Sequence, residues 1–386
     1  MVLNGYGAIF LLSILKTIRT IRRNVISDAP VPLSVLANIT GLCNLRCEFC
    51  EKGQAPTTGE SGELSLEAVK ELVDLAERFD CALFFSGGEP FLHRQIWDIL
   101  AYCHSLGRRV NIATNATCFE GLTGEQFELL GLTIGVMSVS IDSATPARHD
   151  SIRGKAGSFA RAMRFIQNPA RTCRVAISSV LKSDLAEAQG LITLADKLRC
   201  PLNFQPIQFG SNYPHTPALA SKENIRLAMN SNPAMDRQLH ELHRRARKHS
   251  VATNLGLVRQ FFSTYCSLAN SQKFFGDRVL SRFLCVAPLL QVTVDETGLL
   301  CPCALLPGQA KAAAGDLYEN WRVQALDYRR AWLAGRRQDI CRSCTCHFAE
   351  NFRSSILAYP WANRQKIPWL VAYYAGRLYH KAGRKI

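Results

Sequence analysis

Six short runs rich in β-branched and aromatic residues recur between Val31 and about Gly210: Leu33 to Ile39, Ala82 to Phe85, Arg109 to Ala113, Val136 to Ile141, Val175 to Val180 and Leu202 to Pro206. Between them lie amphipathic stretches such as Ser65 to Phe79 and Ser158 to Ile166. Strands separated by helices are joined by crossovers rather than hairpins, so the pattern predicts parallel β-α units in a sheet or barrel. Six units fit this span and eight do not. The expected fold class is α/β, a partial (β/α)6 barrel of TIM type followed by a small cysteine-rich α+β domain at the C-terminal end.

The chain has 386 residues, 47% of them hydrophobic, which excludes disordered and collagen-like classes. Its longest apolar stretches, Ala8 to Leu15 and Trp369 to Ala375, fall short of the roughly 20 residues that cross a bilayer. Lys16, Arg19, Arg22 and Arg23 follow the first stretch instead of preceding it, so the order of a signal peptide is missing and an intracellular, cytoplasmic protein is expected. Fifteen cysteines, an odd number in a reducing compartment, then read as metal ligands before disulfides.

Cys43, Cys47 and Cys50 stand in Cys-Asn-Leu-Arg-Cys-Glu-Phe-Cys, directly after the first predicted strand. Three soft thiolates on one loop can hold three corners of a cubic iron-sulfur cluster and leave one iron open. Zinc is the competing occupant, but a structural zinc normally asks for four ligands in paired spacings. The spacing, with Phe49 before the last cysteine, resembles the signature of the radical S-adenosylmethionine (SAM) enzymes.

The resemblance continues along the chain. Gly87-Gly88-Glu89-Pro90 follows the second strand, Thr114-Asn115 ends the third with Ala116 where the family has glycine, and Ser140-Ile141-Asp142 ends the fourth. His149-Asp150-Ser151-Ile152-Arg153-Gly154 comes next, and Gln205-Pro206-Ile207 closes the sixth strand. The resemblance implies SAM contacts from Phe49, Gly87, Gly88, Glu89, Asn115, Ser140, Asp142 and Arg153: the glycine turn and Glu89 at the methionine amino group, Ser140 and Asp142 near the ribose, Arg153 on the carboxylate. Helix capping by Asp142 and a surface ion pair for Arg153 are the plainer alternatives. All these motifs fall at carboxyl ends of strands, the face on which parallel barrels gather their sites.

A second cysteine group begins at Cys285. A strand and turn, Val292 to Gly298, lead to Cys301-Pro302-Cys303, and Cys341-Arg342-Ser343-Cys344-Thr345-Cys346 follows. This layout resembles the twitch, or shortened SPASM, extension of the same family, with one auxiliary [4Fe-4S] cluster on Cys285, Cys303, Cys341 and Cys344. Cys301 and Cys346 are ambiguous, and a zinc knuckle is the alternative occupant. The other six cysteines, Cys81, Cys103, Cys118, Cys173, Cys200 and Cys266, read as small buried hydrophobes.

The resemblance thus implies a SAM-dependent oxidoreductase. Its [4Fe-4S] cluster on three cysteines and SAM would generate a 5′-deoxyadenosyl radical that takes hydrogen from a substrate, fed by a flavodoxin- or ferredoxin-like donor. A peptide or protein, a sugar or a lipid-linked small molecule would be oxidatively modified, and no general base is identifiable. Two rivals are a nucleic-acid-modifying member of the family and a non-catalytic iron-sulfur or zinc protein. The basic run His243 to His249 carries no nucleic-acid recognition motif and reads as a solvated helix face.

Two-thirds of the net charge of +15 sits at the ends: residues 1–30 hold four basic side chains against one acidic, and residues 351–386 hold seven against none. Leu11, Leu15, Ile18, Ile21 and Val25 alternate with Lys16, Arg19, Arg22 and Arg23 as in a basic amphipathic helix, and the tail adds Trp361, Trp369, Tyr373, Tyr374 and Tyr379. An anionic membrane surface is one partner that such ends fit; packing on the barrel is the other reading. The expected organisation is an N-terminal basic helix (1–30), the barrel (31–210), a helical linker (211–284), the auxiliary-cluster domain (285–350) and a basic aromatic tail (351–386).

Overall fold

The structure is a computed structural model describing residues 17–50, 52, 62–181, 185–206, 234–259, 285–303, 306, 308, 310–312 and 316–336. After a helix over 17–26 (α1) the elements run β1 Ser34–Thr40, α2 Leu66–Arg78, β2 Ala82–Gly87, α3 Ile96–Ser105, β3 Val110–Thr114, α4 Gly124–Thr133, β4 Ile134–Ser140, α5 Pro146–Arg153, α6 Ser158–Gln167, β5 Val175–Leu181, α7 Ala186–Leu198 and β6 Leu202–Pro206. Then come α8 Met235–Lys248, β7 Gln291–Val294, β8 Leu299–Cys301, β9 Ala310–Lys311 and α9 Leu317–Leu333.

One sheet holds every strand of the described residues, in the order β6-β5-β4-β3-β2-β1-β7-β8-β9. The first six strands are parallel and β6 does not meet β9, so the barrel is partial and unclosed, as the alternation of strands and helices predicts. The cysteine-rich hairpin continues this sheet: β7 runs parallel to β1 with Ser34 opposite Gln291, and β8 turns back antiparallel.

Along β1 to β5 alternate residues such as Val35, Ala37, Leu83, Phe85, Ile112 and Val139 are fully buried beneath the helices. The residues between them, among them Leu36, Asn38, Ser138, Ser140 and Ser178, are only half-buried, and Phe84 is 37% exposed. Parallel sheets are normally covered on both faces. Among the described residues the inner face of this one stays open, lined with small and polar groups.

Local chemistry sets the helix ends. Ser65 accepts from the Ala68 amide at the start of α2, Thr123 and Gln126 form a reciprocal capping box on α4, and Asp316 accepts from the Tyr318 and Glu319 amides on α9. Burial of Met235, Leu239, Leu242 and Ala246 turns the basic residues of α8 outward, where Arg244 pairs with Glu241; the solvated-face reading of that run describes its place.

α1 packs its apolar face on the domain. Ile21 is fully buried, and the buried Asn24 donates to the Val31 and Leu289 carbonyls, 2.7 Å each, while accepting from the Val31 amide. Arg329 of α9 donates to the Asn24, Val25 and Ser27 carbonyls and pairs with Asp28 at 2.8 Å. Arg19, Arg22 and Arg23 face solvent. No helix of the described residues is long and apolar enough to cross a membrane.

Candidate active site

Because β1 to β6 are parallel, their carboxyl ends share one rim, and the loop carrying Cys43, Cys47 and Cys50 lies along it. The loop is stitched down on both sides. The Gly88 amide donates to the Thr40 carbonyl at 2.7 Å and the Glu89 amide to Leu42 at 2.6 Å; on the other side the Arg46 and Glu48 amides donate to the Arg153 and Ile152 carbonyls at 3.1 and 3.0 Å. Glycines make these approaches possible. A Cβ on Gly87 (φ +130) would lie 2.2 Å from the Thr40 oxygen, one on Gly88 2.0 Å from Leu42, and one on Gly154 (φ +66) 2.2 Å from Arg46.

A polar knot holds the start of the loop. The Asn115 amide group donates to Asn44 Oδ1 at 2.9 Å, Asn44 donates to Thr117 Oγ1 at 2.9 Å, and Lys155 donates to the Asn44 carbonyl at 3.2 Å. Ala116, in the place of the family's glycine, keeps the left-handed backbone (φ 55) and buries its methyl in the core. That burial offsets part of the conformational cost: a buried CH₂-sized group contributes about 0.8 kcal/mol and an L-residue in this region costs about 1–2 kcal/mol.

Glu89 is fully buried and its carboxylate is spoken for: Oε1 accepts from Thr114 Oγ1 at 2.7 Å and the Phe91 amide at 3.2 Å, Oε2 from the Asn115 amide at 2.7 Å. Burial lifts its pKa to about 7 against the pull of those donors. The string His149 to Gly154 divides its work. His149 Nδ1 accepts from the Asp142 amide at 3.2 Å, Asp150 accepts from Gly157, Ser158 and Phe159 at the start of α6, and Gly154 ends α5. Burial holds the imidazole down to about 4, so it is neutral at ordinary pH.

Asp142 and Arg153 meet beneath the loop. Asp142 Oδ1 accepts from the Val180 amide at 2.8 Å and Ser179 Oγ at 3.3 Å, and Oδ2 lies 2.7 Å from Arg153 Nε, an ion pair without aligned hydrogen-bond geometry. Arg153 Nη1 donates to Cys47 Sγ at 3.7 Å, and the guanidinium lies over the Phe49 ring, 5.5 Å from its centre. The structure thus joins the cysteine loop to Phe49, Gly87, Gly88, Glu89, Asn115, Asp142 and Arg153 through one network. Ser140 lies apart from it, half-buried at the end of β4 opposite Ser178. Thr114 and His149 stand in the motif strings read from the sequence, without a role given to them there; Asn44 and Thr117 join the network without having stood out, because isolated polar residues in turns carry no distinguishing pattern.

The donors fit an iron-sulfur cluster. Cys43, Cys47 and Cys50 are thiols on a fixed loop and form no disulfide among the described residues, Cys47 buried and the other two half-buried. Burial pushes Cys43 up to about 12 and Cys47 upward, a state that a bound cationic iron group reverses. Among the described residues no group of three His, Cys, Asp or Glu side chains closes on one point as a single ion requires.

At the sheet's other end Cys301 is buried, its thiol 3.8 Å from Asp295 Oδ2 and 3.6 Å from the Leu299 carbonyl. Burial, with Asp295 beside it, pushes the thiol up to about 12. Cys285 and Cys303 are half-buried. Cys341, Cys344 and Cys346 lie outside the described residues. The hairpin turn reaches the cysteine loop's continuation through an ion pair between Lys52 and Glu296.

The Radical SAM superfamily model matches residues 37–178. The AdoMet-dependent heme synthase of Oleidesulfovibrio alaskensis is 30% identical over 146 residues, 38% of this chain and 37% of that protein. The mycofactocin maturase MftC of Mycobacterium tuberculosis is 32% identical over 177 residues, 44% of this chain and 43% of its own length. The chain thus spans about two-fifths of the curated relatives it matches. In fold, it resembles Streptococcus suis SuiB bound to the precursor peptide SuiA (TM-score 0.55, 16% identity, covering 89% of this chain and 76% of that one). It also resembles native anSMEcpe with bound AdoMet (TM-score 0.52, 14% identity, 89% and 100%).

Proposed function

Residues 37–178 are a radical SAM domain, and on that premise we propose that the chain is a SAM-dependent radical enzyme that removes a hydrogen atom from a peptide substrate and leaves it oxidised. The observation that carries this reading is the cysteine loop fixed on two glycine turns at the carboxyl rim of the sheet. When bound, a [4Fe-4S] cluster with SAM supplies a carbon-centred radical able to take hydrogen from an unactivated C–H bond.

The chain's own residues hold, orient and shield. Cys43, Cys47 and Cys50 would ligate the cluster. The backbone of the Gly87-Gly88-Glu89 turn, Asn115, Ser140 and the Asp142–Arg153 pair border the place for SAM. The open inner face, with Phe84, Ser138 and Ser178, is left for the substrate. Cys285 and Cys303, joined by Cys341 and Cys344, would hold an auxiliary cluster. The hydrogen-bonded Cys301 thiol is the weaker candidate. The same reading goes with a cytoplasmic enzyme served by a flavodoxin- or ferredoxin-like electron donor.

A peptide substrate is supported by the names of two relatives, the mycofactocin maturase and the PqqA peptide cyclase of Xanthomonas axonopodis. The match to a heme synthase makes a tetrapyrrole the second substrate to test. The test is anaerobic reconstitution. The expected result is iron and sulfide near eight each per chain, 5′-deoxyadenosine released on adding SAM and dithionite, and loss of that activity in Cys43→Ala but not in Cys81→Ala. Zinc occupancy without SAM cleavage overturns the reading.

A further inference from the structure

The contacts of Arg153 point to a role toward the cluster itself. Its guanidinium is buried, 8% exposed, and has three neighbours: Asp142 at Nε, Cys47 Sγ at Nη1 and the face of Phe49. Asp142 is in turn immobilised by the Val180 amide, by Ser179 and, through its own backbone amide, by His149. A guanidinium fixed at this many points is pre-organised, with little freedom left to lose on donating. Hydrogen bonds to cluster sulfurs, and the partners that orient a ligand, are among the means by which a protein sets a cluster's potential.

We infer that Arg153 is a positioning residue for the iron-sulfur site: anchored by Asp142, it donates to the Cys47 sulfur, fixes that ligand and raises the reduction potential of the cluster. A donor and a positive charge beside a ligand sulfur favour the reduced cluster, which carries one more negative charge. Phe49 closes the other face of the guanidinium and keeps it on Cys47. This rests on the radical SAM reading, and it differs from an arginine that serves only the SAM carboxylate.

The test uses the full chain, reconstituted anaerobically and titrated for its midpoint potential by electron paramagnetic resonance without SAM. The wild-type signal that responds to added SAM identifies the cluster to follow. Arg153→Gln is expected to lower the reduced-to-oxidised ratio at a fixed potential about ten-fold, which for one electron is about 59 mV more negative. Arg153→Lys, which keeps the charge without the planar fork, is expected to fall between the two and carries the test if the glutamine variant misfolds. A variant that folds but takes up no iron supports the same assignment, since Cys47 has lost its support. Loaded variants with the wild-type midpoint and weakened SAM binding overturn the inference, whereas a wild type with no SAM-responsive cluster overturns the radical SAM reading instead.

Discussion

Gly88 packs so closely under Leu42 that a Cβ on it would stand 2.0 Å from the Leu42 carbonyl oxygen. Backbone atoms at that distance cannot yield without moving the loop that carries the cysteines. Gly88→Ala and Gly154→Ala are therefore expected to lose most of their iron while keeping the far-ultraviolet circular dichroism of the wild type. Gly124, with nothing within 4 Å of where a Cβ would stand, is the control, and Gly124→Ala should load normally. Iron and sulfide per chain decide it; full loading of Gly88→Ala would mean that the turn does not set the loop.

Thr114 is the side-chain donor to the buried Glu89 carboxylate, beside the backbone amides of Asn115 and Phe91. Its hydroxyl gives Glu89 a 2.7 Å hydrogen bond and accepts from the Ala116 amide at 3.0 Å. Thr114→Val keeps the shape, takes one of three donors from Glu89 and leaves the Ala116 amide without this acceptor. Hydrogen bonds to a charged group contribute about 1.5–3 kcal/mol, so a loss of about 2–3 kcal/mol in denaturant unfolding is expected, against less than about 0.5 kcal/mol for Thr193→Val at an exposed helix position.

His149 makes stability depend on pH in a defined window. Burial lowers its folded pKa from 6.5 to about 4, so between those values the unfolded chain binds a proton that the folded chain refuses. Stability is complete above pH 6.5, falls as pH drops toward 4 and levels off below. Each unit is worth about 1.36 kcal/mol, giving up to about 3 kcal/mol from this residue. In anaerobic urea titrations between pH 7.5 and 4.5 the wild type should lose stability more steeply than His149→Asn, which keeps an acceptor for the Asp142 amide but does not titrate. Equal slopes would remove His149 as the cause.

The six parallel strands were legible because each carries its own buried period, and the rim motifs because strand ends are local. Boundaries slipped where one element runs straight into the next. β4 begins at Ile134 instead of Val136 because α4 ends on Thr133 with no connecting loop, and Gly135 reads as a breaker where none is needed. Gly87 and Gly88 announce a close approach, but the sequence does not say that the approaching backbone is Thr40 and Leu42. Partners far apart in the chain were not legible at all. Nothing local tells β7 to lie beside β1, or Arg329 to cap a helix some three hundred residues upstream.

We propose, from its outward arginines, that α1 also meets an anionic membrane surface, and the Arg329 cap decides how that is tested. Removing residues 1–27 would delete Ile21 and Asn24 from the interior and take away the Asn24, Val25 and Ser27 carbonyls that the nearly buried Arg329 holds. Asp28 is then the acceptor left to a nearly buried guanidinium, and with the interior also opened at Ile21 and Asn24, loss of vesicle binding by the truncated protein does not distinguish a lost surface from a lost fold. Arg19, Arg22 and Arg23 face solvent, and reversing them to Glu leaves the packed face of α1 intact. If the basic helix meets an anionic surface, full-length protein should sediment with phosphatidylglycerol vesicles and not with phosphatidylcholine. The triple reversal should then weaken binding at least ten-fold while its urea midpoint stays at the wild-type value, whereas Arg329→Met should lower the midpoint and leave vesicle binding unchanged. Wild-type protein that ignores anionic vesicles at low salt would end the membrane proposal and leave α1 with its structural role alone.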